Sequence, residues 1–239
     1  MNTADNLRRV QDNIAEACAR SGRDPADVTL IAVSKTHPPH MILEAAQAGV
    51  QHFGENRVEE GESKIPVVNV AAPQPLTWHM IGHIQSRKAK AIPPLFSVVH
   101  SVDTLKLAER LSRLMVERGG VLDALIEVNV SGEASKGGVQ AHDWQRDGAV
   151  REQVWADVGH MCALPGLRVR GLMTMAPIVD DMEAARPVFV ALAALRAALV
   201  ETMGVALPDL SMGMTDDYPV AVEEGATMVR IGRAIFGER

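Results

Sequence analysis

The chain alternates short aliphatic runs with amphipathic helical stretches, and this alternation constrains the fold more than any other feature. We predict eight strands, most of them rich in aliphatic or β-branched residues. They span 28–33, 52–54, 76–81, 96–100, 122–130, 169–174, 207–211 and 228–231. Strands that alternate with helices are parallel and are joined by crossovers. Eight such units in 239 residues favour a closed (β/α)8 TIM-type barrel over an open doubly wound sheet.

A helix is predicted before the first strand. Leu7, Val10 and Ile14 recur at helical spacing, so residues 3–20 should form an amphipathic helix that stops at Gly22. The last predicted strand ends at residue 231 of 239, which leaves no room for a full helix after it. We therefore expect the N-terminal helix to complete the outer ring, with 1–239 forming a single domain.

The remaining segments are predicted from local pattern. Helices are expected at 39–48, around the polar residues Arg57, Glu59 and Glu60, and at 143–163 and 216–224. Ser86 should open a basic helix, and apolar stripes predict helices along residues 107–114 and 185–199. Residues 66–75 contain three prolines and no charge, so we predict a surface loop there, and a second loop at 132–138.

Composition excludes several classes of function. The net charge is −6 and no long basic run is present, so nucleic acid is not an expected partner. No apolar run is long enough to span a membrane, and the N-terminus has no apolar signal core, so we expect a cytoplasmic protein. Cys18 and Cys162 lie far apart in helical patterns, which predicts neither a disulfide nor a metal site.

The first predicted strand leads into Ser34 and Lys35. Active sites of βα barrels lie at the carboxyl ends of the strands. Burial there lowers a lysine pKa and yields the neutral amine that forms Schiff bases. The alternative is a lysine whose ammonium simply reaches solvent at the strand end. Of the six lysines only Lys35 directly ends a strand; Lys136, on the loop after strand five, is the next candidate.

Small residues follow the last two strands. Ser211 and Gly213 come after strand seven and Gly232 after strand eight, where barrels often bind phosphate through backbone N–H groups. Ordinary tight turns are the alternative. Arg230 lies in an apolar strand, and a buried guanidinium needs an acceptor, either a ligand or a carboxylate. A Schiff-base lysine with a phosphate cradle across the barrel indicates a phosphorylated aldehyde: pyridoxal 5′-phosphate, or a phosphosugar in an aldolase.

Seven segments carry a resemblance to a known family. They are Ala-Val-Ser-Lys35, Phe-Gly-Glu-Asn56, Trp-His79-Met-Ile-Gly-His-Ile-Gln85, Glu-Val-Asn-Val-Ser-Gly, Gly-Leu-Met173, Leu-Ser211-Met-Gly-Met and Arg230-Ile-Gly-Arg-Ala-Ile-Phe-Gly. In this order and over nearly the whole chain, they resemble the pyridoxal phosphate homeostasis protein family, also called the YggS family. The resemblance implies a single barrel related to that of alanine racemase.

The resemblance also implies a site. Lys35 would hold the aldehyde of pyridoxal phosphate, Arg230 would face the pyridine nitrogen, and two further groups of residues complete the site. Asn56, His79 and Met173 would surround the cofactor, and Ser211, Gly213 and Gly232 would bind its phosphate. Arg233 replaces a threonine common in the family, so no hydroxyl is available there for the phosphate. Residues 139–157, with Trp144 and Trp155, depart from the family pattern.

The expected function is to bind pyridoxal phosphate as a Schiff base and to contribute to intracellular vitamin B6 homeostasis, with apoenzymes as further partners and no catalytic residues assigned. Arg230 would leave the pyridine nitrogen unprotonated, because an arginine does not readily give up a proton. A racemase also needs a second acid/base, and the single tyrosine, Tyr218, is predicted beside the phosphate-side helix. The alternatives are a minimal pyridoxal-phosphate-dependent amino-acid racemase or lyase with Lys35 as base and, less favoured, an aldolase. We expect a monomer.

Overall fold

A computed structural model describes residues 2–238, and its sheet closes into a parallel barrel. The strands are β1 (Thr29–Val33), β2 (His52–Glu55), β3 (Thr77–Met80), β4 (Val98–Val102), β5 (Leu122–Asn129), β6 (Val139–Gln140), β7 (Leu167–Met173), β8 (Asp209–Ser211) and β9 (Met228–Ile231). All except β6 belong to the barrel, which closes through pairing of β1 with β9 and of β4 with β5. The predicted (β/α)8 barrel is confirmed; β6, a short strand beside β5, was not predicted.

Helices surround the barrel. They are α1 (Thr3–Ser21), α2 (Pro39–Gln47), α3 (Val58–Ala71), α4 (Leu105–Glu117), α5 (Gly148–Cys162), α6 (Arg186–Met203), α7 (Tyr218–Glu223) and α8 (Arg233–Phe236). Three short 3-10 helices cover Pro25–Asp27, Ser86–Ala91 and Met182–Ala185. The second of these lies where the basic helix was predicted, and residues 143–147 precede α5 instead of belonging to it.

Helix α1 lies in the outer ring, as predicted. It packs against α7 and α8 on one side and α2 on the other, so it fills the gap between the last and the first helix. Asn13 Nδ2 donates to the Tyr218 hydroxyl at 2.8 Å, and Asn6 Nδ2 donates to the Ile235 carbonyl at 3.0 Å. The helix ends at Gly22, whose φ of 68° is the left-handed cap that glycine adopts without strain.

The loop predicted at 66–75 is wrong in its first half, because α3 continues to Ala71 with Pro66 inside it. A proline within a helix costs about 3 kcal/mol. Val58, Ile65 and Val68, however, form one buried stripe of this helix, and burying an aliphatic side chain stabilises by roughly 1.5–3 kcal/mol. Packing of the stripe therefore outweighs the proline.

Two separate apolar regions result from strand alternation. The larger one lies between the strands and the helices. The smaller one consists of Val98, Leu125 and Met173, with Met228 packed against them, and lies inside the barrel. Polar groups on the same inward faces lie between this layer and the strand ends, which is where a barrel site forms. No helix among residues 2–238 is long and apolar enough to cross a membrane.

Candidate functional site

Lys35 follows β1 at the mouth of the barrel and is partly buried. Alternation along the strand places it on the opposite face from Ser34, whose hydroxyl points outward to Glu55. The next residue, Thr36, has a φ of 67°, which is uncommon for a residue other than glycine. The backbone on either side of Lys35 is therefore held in a specific conformation by its surroundings.

A buried cluster of charged groups, the Lys64 cluster, supplies that constraint. It consists of Lys64, Glu55 and Glu60 and lies behind the turn that carries Lys35. Lys64 Nζ donates to the Ser34 carbonyl at 2.9 Å, to Glu55 Oε1 at 3.1 Å and to Glu60 Oε2 at 2.7 Å. Glu60 Oε2 also accepts the Thr36 backbone N–H at 2.7 Å. Both neighbours of Lys35 are thus tied to α3.

The two carboxylates of the Lys64 cluster respond oppositely to their surroundings. Burial raises the pKa of Glu55, and the hydrogen bond from Ser34 and the charge of Lys64 only partly oppose it. Burial acts in the same direction on Glu60, but hydrogen bonds from Lys64 and Thr36 outweigh it, so the pKa of Glu60 is lowered. Glu60 is therefore the carboxylate of this cluster that is firmly ionised.

Asn56 lies beside this turn, after β2. Its Oδ1 atom is buried and has no hydrogen-bond partner among residues 2–238. Gly82, after β3, packs directly on the Asn56 backbone: a Cβ at Gly82 would lie 2.2 Å from the Asn56 carbonyl oxygen. Any side chain at Gly82 would therefore push the two loops apart. The buried Oδ1 of Asn56 has the capacity to accept a hydrogen bond from a further partner.

Three imidazoles connect β2 to the far side of the barrel. We call this set, His52, His79 and His100, the histidine chain. His52 Nδ1 lies 3.0 Å from His79 Nε2, His79 Nδ1 lies 2.8 Å from His100 Nε2, and His100 Nδ1 lies 2.8 Å from Ser211 Oγ. Burial lowers the pKa of His79 to about 3 and that of His100 well below its usual value. The inner rings are therefore uncharged at neutral pH.

Arg230 contacts the far end of the histidine chain at Ser211. Its Nη1 donates to Ser211 Oγ at 2.6 Å and its Nη2 to the Thr174 carbonyl at 2.9 Å. Burial lowers the pKa of Arg230 to about 10, although Asp217 and Glu127 raise it from a distance, so the guanidinium stays charged at neutral pH. Among residues 2–238 no carboxylate oxygen forms an ion pair with it. Among the described residues this buried cation donates to one hydroxyl and one carbonyl, and it suits an additional acceptor.

The two glycines of the predicted phosphate cradle differ in what they require. Gly213 has a φ of 93°, and a Cβ there would lie 2.6 Å from the Ala221 Cβ, so the turn needs glycine for packing against α7. A Cβ at Gly232 would lie 3.4 Å from the Val33 carbonyl oxygen, an ordinary contact. Because β1 pairs with β9, Gly232 lies next to the strand of Lys35, and the expectation that this loop lies across the barrel was wrong.

The other predicted residues are placed as follows. Met173 belongs to the apolar layer inside the barrel and lies opposite Ser211 in the register of β7 and β8. Arg233 is exposed and pairs with Asp216. Lys136 Nζ donates to the Met175 carbonyl at 2.6 Å. The structure therefore joins Ser211 directly to Arg230, and His79 to Ser211 through His100.

Other members of the two networks, among them His100 and Lys64, were not predicted as site residues. His100 was assigned only as the end of an apolar strand, although its period-two spacing from Val98 indicates an inward face. Lys64 was given no role in the site, although it shares the helical face of Gly61 and Val68, which are buried. A charged residue on the apolar stripe of a helix was the available signal.

Comparison with known proteins identifies the class of barrel. Residues 6–239 match the family described as alanine racemase, N-terminal domain. The pyridoxal phosphate homeostasis protein of Aquifex aeolicus is 40% identical over 239 residues, covering 100% of this chain and 99% of its own length. That of Pseudomonas aeruginosa is 44% identical, covering 99% of this chain and 95% of its own length.

A solved structure agrees with these relatives. PipY of Synechococcus elongatus, determined with pyridoxal phosphate bound, is 36% identical, with a TM-score of 0.78 over 94% of this chain and 100% of its own. Within the class of alanine-racemase-type barrels, the chain belongs to the pyridoxal phosphate homeostasis protein family.

Proposed function

We propose that this protein binds pyridoxal 5′-phosphate and contributes to intracellular vitamin B6 homeostasis, with Lys35 holding the aldehyde as a Schiff base. When bound, the cofactor supplies an electrophilic aldehyde and a phosphate dianion, and the chain supplies an amine and donors for them. The observation that carries the proposal is the constrained turn at Lys35, whose flanking residues are both anchored on the Lys64 cluster. A lysine whose backbone is fixed in this way presents its amine to a carbonyl from a preorganised position.

Two features of the site fit this cofactor. The buried Oδ1 of Asn56, unpartnered among residues 2–238, offers a polar contact after β2, the strand that pairs with the strand of Lys35. The buried guanidinium of Arg230, with no carboxylate ion-pair partner among residues 2–238, suits the lone pair of a pyridine nitrogen. Ser211, held between His100 and Arg230, and the turns at Gly213 and Gly232 would receive the phosphate, with Met173 on the apolar side.

We further propose that the bound cofactor is chemically quiet towards amino acids. Arg230 stays protonated and so cannot supply a proton to a pyridine nitrogen. The hydroxyl of Tyr218, the single tyrosine, is engaged by Asn13 of α1. Both ring nitrogens of His79 are engaged within the histidine chain, so this histidine is a poor acid or base.

The identity of the Schiff-base lysine is tested by borohydride reduction followed by peptide mapping. We expect the label on Lys35, and we expect Lys35→Ala to lose the absorbance band of the Schiff base. The matched control is Lys88→Ala, because Lys88 is a surface lysine paired with Glu59. A label found mainly on another lysine would overturn the assignment, and Lys136 is the next candidate.

The phosphate cradle is tested by comparing retention of pyridoxal phosphate with that of pyridoxal. We expect pyridoxal to bind much more weakly, and Gly232→Val to weaken retention of the phosphorylated form. Gly232→Ala is the control, since a Cβ there meets only ordinary contacts. Equal retention of the two compounds would show that the cradle lies elsewhere.

The alternative, a minimal racemase or lyase, is separated by incubation with L-alanine, L-serine and L-lysine in deuterated water. We expect slow α-deuteration at most, because loss of one acid/base partner costs roughly 10²–10⁴-fold. Turnover near the enzyme median of about 10 s⁻¹ on any of the three would replace the homeostasis proposal. Transfer to apoenzymes is tested by mixing the loaded protein with a pyridoxal-phosphate-dependent apoenzyme and following its reactivation.

A further inference from the structure

Helix α1 contacts both short helices that follow the turns of the proposed phosphate cradle. These two turns are residues 212–217, between β8 and α7, and Gly232, between β9 and α8. Asn13 Nδ2 donates to the Tyr218 hydroxyl of α7 at 2.8 Å, and Asn6 Nδ2 donates to the Ile235 carbonyl of α8 at 3.0 Å. One side-chain amide of the outer helix therefore reaches each side of the cradle.

Tyr218 and the first turn form one compact unit. The Tyr218 backbone N–H donates to the Met214 carbonyl at 2.9 Å, and Asp217 Oδ1 accepts the Met214 backbone N–H at 2.6 Å. Gly213 packs on the same unit, since a Cβ at Gly213 would lie 3.0 Å from the Tyr218 Cα. A displacement of Tyr218 would therefore displace the turn.

The second turn is tied to Ile235 in a similar way. The backbone N–H groups of Ile235 and Phe236 donate to the Gly232 carbonyl at 2.9 and 3.0 Å. Helix α8 has only four residues, and so short a helix is not stable without tertiary contacts. The hydrogen bond from Asn6 is one such contact, and it lies next to the turn at Gly232.

Both turns can be reached from solvent. Thr215 and Gly232 are partly exposed. Among residues 2–238 no described hydrogen bond uses the Thr215 backbone N–H, so this group is available to a phosphate oxygen. A turn with a free backbone N–H is a common site for an oxyanion in proteins.

The distance between the two turns is not set by local sequence, because they belong to different βα units. The Arg230 backbone N–H donates to the Gly213 carbonyl at 3.0 Å, which joins β9 to the first turn. On the outside Arg233 pairs with Asp216, but this pair is exposed, and exposed pairs contribute little to stability. The position of α7 relative to α8 therefore depends on what packs behind them.

Helix α1 provides a rigid element behind both turns. Asn6 and Asn13 are seven residues apart, so they lie on one face of the helix. Seven residues correspond to about 10 Å along a helix axis. The two amides therefore hold α7 and α8 at a separation that α1 fixes.

We propose that Asn6 and Asn13 are positioning residues of the phosphate cradle, through which α1 holds the two turns at the separation that a phosphate group needs. The inference rests on the proposed placement of the cofactor phosphate at these turns. Backbone N–H groups that are already oriented bind an oxyanion more tightly, because ordering them on binding costs free energy. Losing the two amides should therefore weaken binding of the phosphate and leave binding of the ring and the aldehyde unchanged.

The test compares the dissociation constants of pyridoxal phosphate and pyridoxal, which differ only in the phosphate. The double variant Asn6→Ala with Asn13→Ala should bind pyridoxal phosphate about tenfold more weakly and pyridoxal as before. Alanine has a higher helix propensity than asparagine, so α1 itself is not weakened. Gln11→Ala is the matched control, because Gln11 is exposed on the same helix, and it should alter neither affinity.

A second variant removes one of the contacts from the opposite side. Tyr218→Phe keeps the buried ring and deletes the hydroxyl, so it should weaken binding of pyridoxal phosphate about threefold, as Asn13→Ala alone should. Because both changes break the same hydrogen bond, combining them should give no further loss. Additive losses would show that the two residues act separately and would contradict the proposal.

A third measurement uses inorganic phosphate and needs neither the aldehyde nor Lys35. In protein labelled with ¹⁵N, phosphate should shift the amide resonances of Thr215 and Gly232, and the double variant should need a higher phosphate concentration for the same shift. Equal concentrations in the two proteins would overturn the proposed role of α1.

The outcomes separate this inference from the proposed function. An equal loss for pyridoxal phosphate and pyridoxal in the double variant would show that α1 acts on the fold alone and would overturn the inference, as would an unchanged affinity for pyridoxal phosphate. If the unaltered protein binds the two compounds equally, the cradle is misplaced and the inference fails with it, while the assignment of Lys35 stands. If the unaltered protein binds neither compound, the proposed function fails as well.

Discussion

Two polar networks fix residues of the candidate site. One network consists of charged groups and the other of neutral groups. The Lys64 cluster, outside the barrel wall between β2 and α3, is built of ions: Lys64 donates to two carboxylates and a carbonyl. The histidine chain, inside the barrel, is built of neutral rings. One fixes the backbone on both sides of Lys35, and the other fixes Ser211 beside Arg230.

The difference follows from where the charge can be compensated. The Lys64 cluster has both signs within hydrogen-bond distance, so burying an ammonium is tolerated. The histidine chain ends near Arg230, whose charge has no carboxylate ion-pair partner in the described part of the chain. A second cation there would be strongly unfavourable, so the network next to Arg230 has to be uncharged.

The largest effect is expected from Lys64→Met. This change leaves buried carboxylates without their cation, and breaking a buried pair by removing one partner costs about 3–5 kcal/mol. Urea unfolding measures the loss. The matched control is Lys88→Met, which breaks a pair between a partly exposed lysine and the exposed Glu59 and should cost no more than about 1 kcal/mol. Equal losses in the two variants would refute the distinction between the networks.

The next effect concerns pH and belongs to the histidine chain. The pKa of His79 falls from 6.5 to about 3 on burial, so between these values the unfolded chain binds a proton that the folded chain does not. The contribution of the neutral His79 ring to the free energy of unfolding is fully present above pH 6.5. It is lost as the pH falls below 6.5, by up to about 1.4 kcal/mol per pH unit for each such ring.

In the Lys64 cluster the raised pKa of Glu55 and the lowered pKa of Glu60 change the free energy of unfolding in opposite directions as the pH falls. His79→Phe should therefore flatten the acid side of the stability profile more than Glu60→Gln does. Urea unfolding between pH 7 and 5 gives both slopes. A larger change of slope in Glu60→Gln would reverse the comparison.

At neutral pH we expect a smaller penalty for His79→Phe than for Lys64→Met. Losing the neutral ring leaves one buried nitrogen of His100 without a partner, which costs about 1–3 kcal/mol, whereas the partly exposed His52 can be hydrated instead. Thermal and urea unfolding of both variants at pH 7 test the order. A penalty above that of Lys64→Met would reverse the expected order of the two networks.

The smallest effect is expected at Arg233, which belongs to neither network. It is exposed and pairs only with Asp216 in the described contacts, so Arg233→Thr should change the free energy of unfolding by no more than about 0.5 kcal/mol. Asp216→Ala should have a similarly small effect. A loss above about 1 kcal/mol in either variant would show that this surface pair contributes as a buried one does.

Local patterns in the sequence determined much of this protein. The eight strands, the N-terminal helix that completes the ring and the position of Lys35 at the end of β1 all follow from hydrophobic period and from residues that stop strands. Such signals are contained within short windows of the chain, so they can be read before any tertiary contact is known. At Pro66 the local pattern predicted a loop, but burial of one face of α3 outweighed the tendency of proline to end a helix.

Only the tertiary structure decided which polar groups meet. His52 and His79 are 27 residues apart, His79 and His100 are 21 apart, and His100 and Ser211 are 111 apart. Their contacts depend on the register of strands around a closed barrel, which sets neighbours across the interior and leaves no trace in a local window. The same register brought Gly232 beside the strand of Lys35, because closure makes the first and last strands neighbours.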